Sequence, residues 1–124
     1  MAKLAPVTRG EQDGLRVPAV EAIERHGDAV VLRLAGELDL YNAADVTAAL
    51  EQLAADSPSR VVIDLSEVDF VDSTALGTLV EARRQIGQGG LVLVAPGHDV
   101  ARALEVSGLD QHFTVRSSVD EALA

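Results

Sequence analysis

The sequence predicts an α/β fold in which a mostly parallel central sheet carries an antiparallel edge strand at its N-terminal side. Apolar residues make up 48% of the 124 residues, which is enough for one buried core. Aromatic residues make up only 2%, so the core must consist of Val, Leu, Ile and Ala packed as helices against a sheet. After an initial hairpin, apolar runs alternate with helical periodicity, which gives the order β-β-α-β-α-β-α-β-α.

The first two strands form a predicted hairpin. Residues 16–23 suit an edge strand, because Pro18 lacks a backbone donor and an edge tolerates that loss. Gly27-Asp28 is a typical hairpin turn signal. Residues 30–35 follow with a period of two, and one face consists of Val30, Leu32 and Leu34.

The next two elements are a helix and a buried strand. Asn42 is a good capping residue for a helix that runs to about Ala54. Residues 57–59 then form a turn, and residues 61–65 are almost continuously apolar, as expected of a strand covered on both faces. The apolar stripe of the helix consists of Val46, Ala49, Leu50 and Leu53.

A second helix is predicted over residues 74–86, and the glycine-rich residues 87–90 end it. The strand over residues 91–95 is again buried and is closed by Pro96-Gly97. The inward side chains of the second helix are predicted to be Leu76, Leu79, Val80 and Ile86.

The chain closes with a helix, a strand and a short helix. The third helix covers residues 100–106, with Gly108 as its C-terminal cap. A short last strand follows at residues 113–115. Ser118 and Glu121 have the spacing of a capping box and predict the final helix.

Composition also limits location and partners. Residues 1–14 read as a flexible polar tail, and residues 15–124 as one domain. The net charge of −10 opposes binding to nucleic acid and to anionic membranes. The sequence has no cysteine and no apolar run long enough to cross a bilayer, which fits a cytoplasmic protein.

Two polar junctions at strand ends, residues 36–42 and residues 64–77, are the candidate sites. In the second junction, Asp72, Ser73 and Thr74 stand where a helix must begin. These residue types cap helices. A phosphate on Ser73 would also be accommodated there, because it would face free backbone N–H groups and the positive end of the helix dipole. The spacing alone does not decide between capping and phosphorylation.

Val-Ile-Asp-Leu-Ser at residues 62–66 and Phe-Val-Asp-Ser-Thr-Ala-Leu-Gly at residues 70–77 resemble the signature of STAS domains. Gly-Glu-Leu-Asp at residues 36–39 resembles their second landmark. The resemblance covers residues 17–123 and is strongest to single-domain bacterial anti-sigma-factor antagonists. One departure is Ala75, where many relatives carry Gly.

The resemblance implies a partner switch in transcription regulation, such as a stress response. The unphosphorylated protein would bind an anti-sigma factor with ATP-dependent serine kinase activity, which then releases its sigma factor. Phosphorylation of Ser73 would end this binding, and a metal-dependent serine phosphatase would restore it. The resemblance places Asp39 at the binding surface, and the predicted neighbouring residues are Tyr41, Asn42, Asp72, Thr74 and Leu76.

Other functions fit the sequence less well. Ser73 does not lie in the Gly-x-Ser-x-Gly motif of a nucleophilic serine, and His26, His98 and His112 are scattered along the sequence. We therefore do not expect the protein to be an enzyme or to bind a cofactor or a metal ion. A receiver-type domain would need a lysine near its last strand, and none follows Lys3. An alternative function is that of a scaffold subunit in a sensory assembly, which should self-associate. A switch protein, in contrast, is expected to be a monomer or a weak dimer. Acids that could imitate a magnesium site are Glu37, Asp39, Asp64, Glu67, Asp69 and Asp72.

Overall fold

The computed structural model describes residues 18–87 and 90–124. The predicted tail, residues 1–14, therefore lies outside the described residues, and so do residues 15–17 of the predicted domain. The elements in chain order are β1 (Val20–His26), β2 (Ala29–Leu38), α1 (Ala43–Ala55), β3 (Arg60–Val71), α2 (Ser73–Ile86), β4 (Leu91–Val94), α3 (His98–Ser107), a short 3-10 helix (Leu109–Gln111), β5 (Thr114–Arg116) and α4 (Val119–Leu123).

The sheet has five strands in the spatial order β1-β2-β3-β4-β5. β1 pairs antiparallel with β2 through the two-residue turn Gly27-Asp28, in which Gly27 has a φ of 66°. The pairs β2–β3, β3–β4 and β4–β5 are all parallel. This topology confirms the predicted mostly parallel sheet with an antiparallel edge strand, and the predicted order of elements.

The two faces of the sheet are covered differently. Alternate side chains of the central strands pack against α1, α2 and α3 in one large apolar cluster. The intervening side chains form a smaller cluster with the C-terminal helix α4. The central strands are buried on both faces, as their apolar sequences predict. The smaller cluster consists of Val31, Val62, Val92, Val94 and Ala122.

β3 is longer than its sequence indicates. Its twelve residues pair with the ten residues of β2, because the register shifts twice and each shift adds one residue to β3. The shifts lie opposite the steps Arg33/Ala35 and Gly36/Glu37 of β2. These bulges turn the usual spacing of two between core residues into a spacing of three. The side chains that stay in the large cluster are Leu65, Val68 and Val71. The prediction that β3 ends near residue 65 is therefore wrong.

An ion-pair network joins β1, β2 and β3 on the smaller-cluster face. Arg33 donates to Oδ2 of the buried Asp64, and its Nε donates to Glu24 Oε2 at 2.8 Å. The hydrogen bond with Glu24 raises the pKa of Arg33, and the same hydrogen bond lowers the pKa of Glu24. The other oxygen of Asp64 accepts the Ser66 N–H at 3.0 Å, which fixes the first bulge of β3.

The helices match their predicted positions more closely than their predicted contacts. The buried residues of α1 are the four predicted from its stripe. In α2, Leu79 is buried and Leu76 and Ile86 pack against the core, but Val80 is exposed and its prediction as an inward residue is wrong. Ala75 and Ala82 are buried instead, because small side chains let the helix approach the sheet closely.

Several boundaries also differ from the prediction. β1 begins at Val20, so Pro18 precedes the strand instead of lying within it. Ala95 leaves β4 with a φ of 50°. The 3-10 helix after α3 was not predicted, whereas Gly108 caps α3 in the left-handed conformation as expected. Phe113 is buried in front of β5, which begins one residue later than predicted.

Candidate functional site

The loop between β2 and α1 is held in one conformation by its own polar groups. Asn42 Oδ1 accepts the Asp39 N–H at 2.9 Å, and Asn42 Nδ2 donates to the Glu37 carbonyl at 2.7 Å. Asp39 Oδ1 accepts the Tyr41 N–H at 3.0 Å. Asn42 occupies the N-cap position of α1, as predicted, but its side chain forms no capping hydrogen bond. The side chain instead stabilises the loop that precedes the helix.

Asp72 links this loop to the start of α2. The carboxyl ends of β2 and β3 lie side by side, with Leu38 paired to Val71, so the two predicted junctions meet at one edge of the sheet. Asp72 Oδ1 accepts the Ala75 N–H at 2.9 Å and caps α2. Asp72 Oδ2 accepts the Leu40 N–H at 3.0 Å. One carboxylate therefore positions both segments of the candidate site.

Ser73 is the first residue of α2, and its side chain is exposed. Because Asp72 provides the cap, the helix does not need the Ser73 hydroxyl. That hydroxyl makes no hydrogen bond with any residue in the ranges 18–87 and 90–124. Capping therefore explains Asp72 but does not explain Ser73. Ala75, the departure from the family pattern, is buried in the large cluster.

The side chains around Ser73 divide into exposed groups and supporting groups. Tyr41 is 83% exposed, and Thr74 is exposed beside Ser73. Leu76 is half-buried and packs against the core. The prediction did not include Leu40, which is 66% exposed, or Phe70, which is 47% exposed. An apolar residue in a predicted loop is the only sequence signal that could have identified them.

No group of three or more His, Cys, Asp or Glu side chains within the described ranges is arranged to hold a metal ion. The acids that resembled a magnesium site lie along β2 and β3 and just after these strands, and Asp64 is already paired with Arg33. A cleft of about 370 Å³ lies elsewhere, between α3 and β5, and is lined by residues that include His98, Arg102 and Val115. It contains none of the predicted site residues.

The described residues include no helix that is long and apolar enough to span a bilayer.

The fold and this site define a class of small α/β domains in which a serine is displayed at a helix start on the edge of a mixed sheet. The family model of the STAS domain matches residues 20–122, and the chain belongs to this family. It is 37% identical over 99 residues to the anti-sigma-F factor antagonist RsfB of Mycobacterium tuberculosis, covering 79% of this chain and 81% of that protein.

Two further comparisons agree. The chain is 34% identical over 101 residues to the anti-sigma-B factor antagonist of Listeria monocytogenes, covering 80% of this chain and 89% of that protein. The crystal structure of an anti-sigma factor antagonist from Mycobacterium paratuberculosis superposes with a TM-score of 0.77 at 34% identity, covering 82% of this chain and 88% of that one. Both the recognised family and the predicted fold are confirmed.

Proposed function

We propose that this protein is a bacterial, cytoplasmic anti-sigma-factor antagonist whose binding is switched off by phosphorylation of Ser73. The observation that carries the proposal is the exposed Ser73 hydroxyl, which stands at the start of α2 while Asp72 alone caps that helix. A hydroxyl with no structural task is available to a kinase. Phosphorylation there does not consume a capping hydroxyl, because the cap of α2 is Asp72.

The partner would contact the surface formed by the 39–42 loop and the first turn of α2. Tyr41 and Thr74 are exposed and available for direct contact. Asp39, Asn42 and Asp72 are half-buried and hold the backbone of this surface, so we assign them to positioning the loop as well as to binding. Leu76 is half-buried and packs against the large cluster, so we assign it to anchoring α2 on the core.

Ser73 phosphorylation would act through charge at this surface. The kinase would transfer the γ-phosphoryl group of ATP to Ser73 Oγ, the hydroxyl proton would leave to a base on the kinase, and ADP would be released. The phosphate adds a charge of about −1.5 to −2 at neutral pH. It would stand next to the Asp72 carboxylate, whose two oxygens already accept hydrogen bonds from the Ala75 and Leu40 N–H groups. The added charge and bulk would then occupy the contact surface, and repulsion of Asp72 would loosen the 39–42 loop.

The proposed partners follow the same logic. The anti-sigma factor would be the ATP-dependent serine kinase, and a metal-dependent serine phosphatase would hydrolyse the phosphoserine. The unphosphorylated protein would bind the anti-sigma factor and free the sigma factor. The relatives named as anti-sigma factor antagonists support this assignment.

The test is the affinity of the anti-sigma factor for four forms of the protein: unphosphorylated, phosphorylated, Ser73→Ala and Ser73→Asp. We expect Ser73→Ala to bind like the unphosphorylated protein and to accept no phosphate. Like charges brought together at an interface cost several kcal/mol of binding free energy. Because a loss of about 1.4 kcal/mol weakens binding tenfold, the phosphorylated form should bind at least tenfold more weakly. Ser73→Asp, with a smaller charge, should fall between the two forms.

Ser117→Ala is the matched control, because Ser117 is also exposed but lies near α4. The kinase should phosphorylate this variant at Ser73 as it does the unaltered protein. The anti-sigma factor should bind both proteins with equal affinity. Equal affinity for the phosphorylated and unphosphorylated forms would contradict the switch and favour a scaffold role.

A further inference from the structure

The exposed face of α2 differs from those of the other two long helices. In the first two turns of α2, residues 73–80, no side chain is charged. Surface helices normally carry charged residues on the face that meets water. The other two helices follow this rule, with Asp45 and Glu51 exposed on α1 and Asp99 and Arg102 exposed on α3. The first half of α2 is therefore an uncharged surface on a protein whose net charge is −10.

Gly77 is exposed in the interior of α2, and the fold gives no reason for a glycine there. Its φ is not positive, so other residues can adopt this backbone conformation. Apart from its chain neighbours and the helix backbone, a Cβ atom at Gly77 would meet no heavy atom of the described residues within 4 Å. Glycine in a helix interior is less stable than alanine. Folding therefore does not explain Gly77.

The absence of a side chain at Gly77 leaves a hollow in the surface of α2. When two helices pack, a side chain of one inserts between four residues of the other, at positions i, i+3, i+4 and i+7. On α2 these positions are occupied by Ser73, Leu76, Gly77 and Val80, which we call the α2 hollow. Leu76 is half-buried against the core and Val80 is 42% exposed, so the α2 hollow has apolar walls and opens to solvent.

The α2 hollow is continuous with the surface proposed to bind the anti-sigma factor. Ser73 belongs to both, and Val80 lies seven residues further along the helix, about 10 Å from Ser73. On the other segment of that surface, Leu40 is 66% exposed, and its N–H donates to Asp72, the residue before Ser73. Exposed apolar side chains therefore occur in the 39–42 loop and along α2.

We propose that an apolar side chain of the anti-sigma factor inserts into the α2 hollow and lies over Gly77. The inference rests on the proposed function and adds the chemistry of the contact, which is a neutral, apolar group that needs the space left by Gly77. It also gives the switch a second physical cause. A phosphate on Ser73 would place a charge at the wall of an apolar contact, where desolvation of that charge opposes binding.

The experiment measures the affinity of the anti-sigma factor used for the Ser73 variants for three further unphosphorylated variants. Gly77→Leu fills the α2 hollow and should weaken binding at least about tenfold. Gly77→Ala fills it in part and should weaken binding less. Val80→Ala removes part of one apolar wall and should weaken binding about fivefold.

Thermal unfolding separates a lost contact from a damaged fold. Gly77→Ala should unfold about 4 °C above the unaltered protein, because alanine favours the helix, and yet it should bind more weakly. A structural role for Gly77 would instead couple weaker binding to a lower unfolding temperature. Ala101→Leu is the matched control, because Ala101 is exposed on α3, and it should leave binding unchanged.

Unaltered affinity of Gly77→Leu would overturn the inference. If phosphorylation of Ser73 still weakened binding in that case, the proposed function would stand without it. Equal affinity for the phosphorylated and unphosphorylated forms would contradict the switch, whereas weak binding of Gly77→Leu would still support the contact at the α2 hollow. An anti-sigma factor that does not bind the unaltered protein would overturn both.

Discussion

The starts of α2 and α4 both carry a serine, but the two serines have different roles. At α4, the Ser118 hydroxyl oxygen accepts the Glu121 N–H at 3.1 Å and caps the helix. At α2, the cap is the preceding residue, Asp72, and Ser73 lies within the first turn. A serine at the N-cap position therefore uses its hydroxyl to cap the helix, whereas a serine one position later leaves its hydroxyl available for modification. The comparison shows that the residue before the serine decides whether the serine is free.

Asp72 is the residue on which this difference depends, and it should give the largest effect. Asp72→Ala removes the acceptor for both the Ala75 N–H and the Leu40 N–H. A lost N-cap costs about 1 kcal/mol, and a hydrogen bond to a charged group contributes about 1.5 kcal/mol or more. We expect the free energy of unfolding to fall by about 2.5 kcal/mol in urea denaturation.

Asp72→Ser separates the two functions of this carboxylate. Serine is a good capping residue but is too short and has one oxygen, so it should restore the cap and leave the Leu40 N–H unpaired. Hydrogen exchange at the Leu40 amide should then be as fast as in Asp72→Ala, while stability is partly recovered. Unchanged protection of that amide in Asp72→Ala would show that the bridge to the 39–42 loop is absent in solution.

Replacing each of the two serines by alanine should give a smaller change in stability, and the change should differ between the two sites. Ser118→Ala should lower the free energy of unfolding by about 1 kcal/mol, because it deletes an N-cap. Ser73→Ala should change it by less than about 0.5 kcal/mol, because an exposed hydroxyl without a partner is removed. Equal losses in the two variants would mean that Ser73 contributes to capping after all.

The smallest effect concerns acid sensitivity at α4. The Glu121 carboxylate accepts the Ser117 N–H at 2.9 Å, and this hydrogen bond lowers the pKa of Glu121. The stabilisation is fully present above the ordinary glutamate pKa and is lost as the pH falls through the lowered value. NMR titration should show the Ser117 amide following Glu121 in this acidic range.

Glu121→Gln should abolish that response of the Ser117 amide. A Glu121 carboxyl that titrates at the ordinary glutamate value would contradict the prediction.

The parts of the fold that follow regular periodicity could be predicted from the sequence. The α1 stripe repeats at helical spacing and is buried as expected, and Ser118 caps α4 as its spacing indicates. The meeting of the two polar junctions was also predictable, because carboxyl ends of neighbouring parallel strands lie at one edge. These features depend on contacts between residues close in sequence, or on topology alone.

The parts that depend on contacts between distant residues could not be predicted. Val68 and Val71 are three residues apart, a spacing that is typical of a helix and not of a strand, so the sequence predicts too early an end for β3. The hydrogen bond from the Leu40 N–H to Asp72 joins residues 32 positions apart, and no local pattern encodes it. The exposure of Val80 likewise depends on how α2 rests on the sheet.

The two bulges of β3 determine the register of this strand against β2 and thereby the position of Ser73 relative to the sheet. Deleting one residue at a bulge restores the regular spacing of two and keeps Val68 and Val71 on the core face, whereas inserting one residue at 66–69 turns them to the opposite face unless the bulge grows. Asp72 would then lose its place opposite Leu40. Insertions should therefore be excluded from this stretch during evolution, whereas the connection at residues 56–59 can change in length. In an alignment of functional homologues, insertions would avoid the segment before the serine and collect after α1.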